Sequence, residues 1–460
     1  MEYSSLLFIY GFFPVSLALY HITPKKLKDV SLLLLSMIFC AFFGVRYLVC
    51  IAAYVLFNYT AARLTDKLRK RGAVACFIPF ALCMMFDIFA LFAFRTERFP
   101  VMYRALRLHE GFFPVGISLF TLSALGYLID VYNGRIRSEK SLVRYSLYIM
   151  MFPRLLMGPV VRYDTFTRIM DSRRSGIDEL GKGLTVFIKG LAKKVLAADT
   201  LYALYIAVDS YDTRELSAVT AWLGITAYVL CLYFTLSGVA DMGVGIGYCF
   251  GFRFPQSFNY PMFSSRIRYF AAKWHVQVIH WFRSYITKPF TSSVNSRYIG
   301  KLIFIGAWAL AGCWYSFTVS GALWGALMGT AIVIEGKLRK SRMLKATGII
   351  YTYLLVMVFA VFLASGTVGS GFGYLLAMIG GNRSLTDDLT LYLLRSYLVV
   401  LLMTMYASTD LFRNMLLRSR RLLLRKVFMA ATPAVMVLLL AICTALISSS
   451  GSSEMLLLRL

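Results

Sequence analysis

Acidic residues are scarce in this chain: 22 Asp and Glu stand against 49 Lys and Arg, and all charged residues together fill only 15% of its 460 positions. Histidine occurs four times and proline eleven times, and there is no CxxC pair, internal repeat or low-complexity linker. Each shortage removes a class. So little charge, against 59% hydrophobic residues and a mean hydropathy of +0.68, excludes a soluble globular domain. Cys40, Cys50, Cys76, Cys83, Cys231, Cys249, Cys313 and Cys443 lie in or beside apolar runs without regular spacing, which argues against a disulfide framework and makes them small hydrophobes. A metal centre needs His, Cys and carboxylates in a cluster, and no such cluster is present, so no metal is expected. The formal charge of +27 does not point to nucleic acid. The cations sit between apolar runs, where positive-inside bias and anionic headgroups account for them.

What the chain has is a series of apolar runs, many reaching the ~18 residues that mark a membrane-crossing helix. It reads as an all-α polytopic membrane protein with the lipid bilayer as its first partner. Spans are expected near 5–20, 31–45, 47–64, 73–94, 112–131, 180–206, 216–240, 299–318, 320–336, 346–365, 388–409 and 427–448, the shorter ones re-entrant or interfacial. The first run leads into Pro24-Lys25-Lys26 without a small-residue cleavage site and reads as a retained helix. Residues 1–460 are expected to form one membrane domain.

Three polar stretches interrupt this pattern. The run Phe112–Ile136 carries Pro114, Gly116, Ser118, Ser123 and Gly126, small residues suited to close helix packing, and ends on Asp130 beside Arg135, an interfacial ion pair in the simplest reading. Phe152–Phe166 holds Pro153, Gly158 and Pro159 within seven positions, which breaks the helix and predicts a re-entrant piece with Arg154 and Arg162 aimed at a cavity or headgroup. Asp241–Phe290 concentrates an acid, His275, His280, several arginines and many aromatics. Ionisable groups at membrane depth cost about 2.5–3.5 kcal/mol each at a helix centre, so this stretch is expected to line an internal cavity. Gly243, Gly245 and Gly247 make no single helical stripe and predict an irregular backbone. His275 and His280, five residues apart, lie about 140° apart round a helix and cannot share one centre. A lone histidine among aromatics is more often a satisfied core residue than a catalyst.

The longer motifs are not anonymous. SSLLFIYGFFPVSLALY at the start, PVGISLFTLSALGYLIDVYNGRI, FPRLLMGPVVRY, GLAKKVLAADTL (Gly190–Leu201), LYFTLSGVADMGVGIG, FGFRFPQSFNYP, and KWH followed by WFRSYITKPF occur in order. Together they make the chain resemble the membrane-bound O-acyltransferase family, in the branch of bacterial alginate O-acetylation proteins and the D-alanyl transfer protein of teichoic acid modification. The likeness runs from residue 1 to about 330, leaving 331–460 as C-terminal helices. It implies a ring of about 11–13 tilted and re-entrant helices around a tunnel, in the bacterial cytoplasmic membrane. It implies an acyl-CoA or acyl-carrier thioester as cosubstrate with no bound cofactor, a hydroxyl acceptor on an extracytoplasmic polymer, and an acyl-carrier protein and an extracytoplasmic esterase-like protein as partners. His275 takes the place of the family's first tunnel histidine. Trp314, Asp241, Asn259, Trp274, Arg154, Arg162 and Ser237 fall at tunnel or substrate-binding positions.

The run AGCWYSFTVSGALWGALMG departs from the family at the chemistry. Trp314 is kept, Tyr315 stands where the principal catalytic histidine is expected and Met328 at a later one, while Thr235 and Val239 replace polar or aromatic residues. Acyl transfer needs a group that takes a proton from the attacking hydroxyl. Histidine suits this with a pKa of about 6.5, whereas tyrosine at about 10 is a poor base but a good hydrogen-bond donor. Three readings remain: an O-acyltransferase using His275 and Tyr315 in altered roles, a degenerate homologue that binds or assembles, and a transporter or lipid flippase. The lack of two related halves argues against the last.

Loop charges give the topology. The cations at 25–28, 67–71, 135–140, 337–345 and 413–426 share one face when both termini lie outside, with 95–109 and its Arg95, Arg98, Arg104 and Arg107 an interfacial helix on the outer side. Cysteines introduced at 67–71 and 337–345 should therefore resist an impermeant thiol reagent in intact cells, and one near Ser452 should react. Labelling of the 337–345 loop from outside would overturn this orientation.

Overall fold

Lipid offers backbone N–H and C=O groups no partner, so an apolar run must satisfy them within itself, and every regular element among the described residues is helical. The computed structural model describes residues 2–96, 115–174, 176–337, 347–381, 385–410 and 422–450. The first helices are α1 (Leu7–Ile22), α2 (Lys28–Ala41), α3 (Val45–Leu68), α4 (Ala73–Thr96) and α5 (Ile117–Tyr132). Short pieces follow: α6 (Leu142–Met150), α7 (Phe152–Leu155) and α8 (Tyr163–Asp171). Next, α9 (Ile177–Ala192) continues through a π-helical turn, Lys193–Ala198, into α10 (Asp199–Asp209), and α11 (Ala218–Cys249) is the longest helix. After α12 (Ile267–Lys273), α13 (Val276–Phe282) and α14 (Lys288–Ser292) come α15 (Arg297–Ser316) and α16 (Val319–Lys337). The last are α17 (Gly348–Ala364), α18 (Val368–Met378), α19 (Asp388–Ala407) and α20 (Leu422–Ser450).

Seven of the described helices, in α3, α4, α11, α15, α16, α19 and α20, are long and apolar enough to cross a membrane, and α1, α5, α17 and α18 are shorter apolar helices. The protein is a polytopic all-α membrane protein. The expected interfacial helix at 95–109 lies outside the described residues except for its first two positions, as do most of the 337–345 and 413–426 loops and Ser452. Within the described part of the span expected at 112–131, the helix starts at Ile117, after Gly116 at φ 81°, where a Cβ would sit 2.2 Å from the Leu155 carbonyl oxygen. Only glycine takes that backbone and that contact together. Helix α18 was not expected; Thr367 and Ser370 cap its start reciprocally.

The chain forms two compact units, Met1–Phe187 with Val239–Gln256, and Ile188–Gly238 with Ser257–Leu460. In the first, the break expected at Pro153 is present and buried, and Arg154 lines a small internal space beside Gly158 and Pro159. Its side chain, 6% exposed, donates from Nη1 to the Tyr148 carbonyl at 3.0 Å and from Nε to the Pro159 carbonyl at 3.3 Å. Tyr148 Oη donates to the Val161 carbonyl at 3.0 Å, so side chains satisfy the backbone that the prolines release. Arg162 faces Asp130 at 3.2 Å, and Arg135 faces the same carboxylate at 3.1 Å, which is 1% exposed. The simple ion pair expected at Asp130 is thus a carboxylate between two guanidiniums, the arrangement a buried acid requires.

The irregular backbone expected at Gly243–Gly247 is absent, because α11 stays helical to Cys249 and turns only at Gly251, φ 88°. The three glycines serve three neighbours instead. A Cβ would lie 2.5 Å from the Pro153 carbonyl oxygen at Gly243, 2.5 Å from the Phe187 nitrogen at Gly245 and 2.6 Å from the Phe254 ring at Gly247. Close approach of two backbones and one aromatic ring, not bending, explains their spacing.

This gives a paired test. Gly245→Ala forces backbone apart and should destabilise the folded protein by about 1–3 kcal/mol, as overpacking does. Gly181→Ala meets nothing within 4 Å and should be neutral or stabilising, since alanine is the better helix former. Thermal unfolding of the two variants in detergent measures the difference, and equal midpoints would contradict the packing.

Candidate functional site

The second unit holds the residues that matter most. The sequence suggests one aromatic helix through Trp274 and His275, but the structure breaks it there. Helix α12 stops at Lys273, Trp274 is extended, and His275 adopts φ 39°, ψ 54° before α13 starts. A left-handed conformation costs a residue with a Cβ about 1–2 kcal/mol, so the surroundings must enforce it. They do so through backbone hydrogen bonds from the preceding loop: the Val276 N–H donates to the Ser257 carbonyl at 2.8 Å, and the Asn259 N–H donates to the Lys273 carbonyl at 3.1 Å. The break aims the imidazole inward. His275 is 3% exposed, while His280 on the continuing helix is exposed, in keeping with the angular argument against a shared centre.

Helix α15 brings the other half. It packs against α16 through small residues: a Cβ at Gly312 would fall 2.2 Å from the Gly321 carbonyl oxygen, and one at Gly325 2.0 Å from that of Trp308. This approach sets the last turn of α15, which ends at Phe317 with φ 53°. Tyr315 Oη then lies 2.8 Å from His275 Nδ1 and 3.0 Å from Trp274 Nε1. The indole N–H only donates, so the phenol oxygen accepts it, while the bond between Tyr315 Oη and Nδ1 runs in the direction set by the imidazole tautomer. Tyr315 thus joins Trp274 and His275 through one oxygen.

Aromatic rings close the site. Phe258 stacks on His275 with centroids 5.2 Å apart and 22° between planes, Trp314 lies 6.1 Å from it, and Trp324 meets the Tyr315 ring edge-on at 5.4 Å. Trp274 and Tyr315 are each 3% exposed and Trp314 is 9%. Burial pushes the imidazole pKa down from 6.5 to about 3, which favours the neutral ring. The array is a short proton path from a phenol to an imidazole, with an indole donor that steadies negative charge on the phenol oxygen.

The other expected site residues are placed differently. Asn259 is exposed and holds the loop by its backbone. Ser237 is fully buried, and its hydroxyl has no hydrogen-bond partner among the described residues. Asp241 is half-buried within α11; it belongs to the first unit, as do Arg154 and Arg162. Thr235, Val239 and Met328 are buried. Sequence reasoning missed the Phe258 and Trp324 walls and the ion pair of Lys194 with Asp199 in the π-helical turn, where Lys194 is 4% exposed at its side chain. For the ion pair a signal was available: two lysines inside an apolar run with an acid five positions after the second.

Tyr315→Phe removes one oxygen and leaves the Trp274 N–H and the imidazole without this partner in a buried setting. Each such group costs about 1–3 kcal/mol, so the variant should unfold at a clearly lower temperature in detergent than wild type. An unchanged midpoint would show that the three-group hydrogen bond contributes nothing to the fold.

Comparison with known proteins bears on this geometry. The family model described as MBOAT, membrane-bound O-acyltransferase family, matches residues 131–305. A probable alginate O-acetylase of Azotobacter vinelandii is 31% identical over 377 residues, 78% of this chain and 74% of that protein. A peptidoglycan O-acetyltransferase of Helicobacter pylori is 26% identical over 72% of this chain and 70% of its own, and a teichoic acid D-alanyltransferase of Bacillus subtilis is 23% identical over 46% and 56%. With nearly four-fifths of its length aligned at that identity and a helical membrane fold, this chain belongs to the membrane-bound O-acyltransferase family.

Proposed function

We propose that the protein transfers an acyl group, acetyl or similar, from an activated thioester on the cytoplasmic side to a hydroxyl of an extracytoplasmic polysaccharide or other envelope polymer. The donor is an acyl-CoA or an acyl-carrier thioester, the setting is the bacterial cytoplasmic membrane, and an acyl-carrier protein and an extracytoplasmic esterase-like protein are its expected partners. Relatives named for acetylating alginate and peptidoglycan support the acceptor class. The observation that carries the reading is the 2.8 Å contact between Tyr315 Oη and His275 Nδ1, a short hydrogen bond along which a proton can pass.

In this reaction the acceptor oxygen attacks the thioester carbonyl and the carbon–sulfur bond breaks. The acceptor's proton passes to Tyr315 Oη as Tyr315 passes its own to His275 Nδ1, and the same path returns a proton to the departing thiolate. Burial makes His275 a weak base and Tyr315 is a poor one, so the step is slow. A well-placed acid–base group supplies about 10²–10⁴-fold, and much of that factor is forfeited here.

A second reading has an observation of its own. His275 and Tyr315 are both 3% exposed and are hydrogen-bonded to each other, as expected of a homologue that binds or assembles rather than turns over. Acceptor-dependent acyl release in reconstituted membranes separates the two. The active reading expects slow wild-type release, loss in Tyr315→Phe and in His275→Ala, and a gain of tenfold or more in Tyr315→His. Wild-type release no greater than that of His275→Ala would favour the binding role, and robust wild-type turnover that survives loss of His275 would displace the chemistry from this site altogether.

A further inference from the structure

A second feature of the second unit has no part in the reaction above. Between α12 to α14 and the face of α15 lies a cleft of about 410 Å³. Three cations line it, Arg268, Arg283 and Lys288, and across from them Phe304, Trp308 and Ala311 line it from one face of α15, at the i, i+4, i+7 spacing. Those three wall positions run about 10 Å along the helix. None of the three cations has an ion-pair partner among the described residues; Arg268 uses its backbone N–H on Glu335 Oε2 at 3.1 Å, and Glu335 does not line the cleft. Unpaired cations at one side of an apolar trough are a costly arrangement unless an anion with an apolar body completes it.

We propose that this cleft binds an anionic phospholipid of the bilayer, its phosphate among Arg268, Arg283 and Lys288 and an acyl chain along Phe304, Trp308 and Ala311. Two observations choose a lipid over a soluble phosphate. On α15 the residues turned away from the cleft, Tyr298, Leu302 and Leu310, are 79%, 66% and 54% exposed, so the helix that forms the cleft wall meets hydrocarbon on its outer side and the cleft lies within reach of lipid. The Arg268–Glu335 contact also sets the cleft beside the end of α16 that leads into the cationic 337–345 loop, the side where loop charge puts the cytoplasm and where basic pockets between helices recruit anionic headgroups.

The test uses the full chain in a neutral detergent, titrated with phosphatidylglycerol or phosphatidylcholine carrying brominated acyl chains, with quenching of tryptophan fluorescence as the readout. Saturable quenching by phosphatidylglycerol and none by phosphatidylcholine at the same concentration is expected, and Trp308→Phe should remove most of it. Each cation near an anionic lipid surface is worth about fivefold in affinity, so Arg283→Gln and Lys288→Gln should each weaken binding by about that factor, and the triple variant with Arg268→Gln by roughly a hundredfold. Arg283→Lys should bind as wild type, and Lys67→Gln with Lys70→Gln, remote in sequence, should change nothing. The single variants carry the test if the triple variant does not fold. Equal quenching by the two lipids, wild-type affinity after charge removal, or displacement of the lipid by free coenzyme A would each overturn the proposal.

Discussion

A backbone group released from a helix inside a membrane has no water to turn to, and this protein is shaped by how it meets that demand. It breaks helices where its sequence carries its motifs, and each break is answered by particular side chains or by a neighbouring loop. At Pro153 the answer is a buried arginine donating to the carbonyls of Tyr148 and Pro159. At Trp274–His275 it is the loop carrying Ser257 and Asn259, which pairs backbone to backbone across the gap. Helix α11 remains unbroken and carries glycine where the Pro153 carbonyl and the Phe187 backbone come close. Charge follows the same rule: Asp130 is buried between two arginines, and Lys194 is buried against Asp199.

The break at His275 has a chemical consequence that a continuous helix would lack. A left-handed residue between two helices directs the imidazole away from the path of either, toward the end of α15, where Tyr315 meets it. The phenol is bulkier than an imidazole and far less basic, yet it is well suited to sit between an obligate donor and an acceptor, as it does between Trp274 and His275. The same hydrogen bonds are consistent with turnover and with a purely structural role, so the two are separated by rates rather than by geometry.

Much of the fold was legible in the chain because membrane helices announce themselves through composition. The apolar runs, the buried character of most cysteines, the disruption at Pro153 and the pairing of Asp130 with Arg135 all follow from local sequence and the cost of exposing charge to lipid. The readings that failed were about direction. Three close glycines suggested a loose backbone at 243–247, and the helix is intact because each glycine faces a different neighbour, a fact carried by Pro153, Phe187 and Phe254 rather than by the glycines. Which carbonyls Arg154 serves, those of Tyr148 and Pro159, was likewise a matter of direction that the chain does not print.

By itself the sequence determined the class of protein and the family likeness, because hydropathy and motif order are properties of the chain. Only the tertiary structure decided where the side chains point. That Trp274 donates to the phenol, that Tyr315 reaches Nδ1, that Phe258 stacks on the ring and that Arg268, Arg283 and Lys288 face one cleft all depend on a helix break and on the close approach of α15 to α16. Periodicity can assign a residue to a helical face, but it does not register a left-handed kink or a contact between segments forty residues apart, since both are set by neighbours distant along the chain.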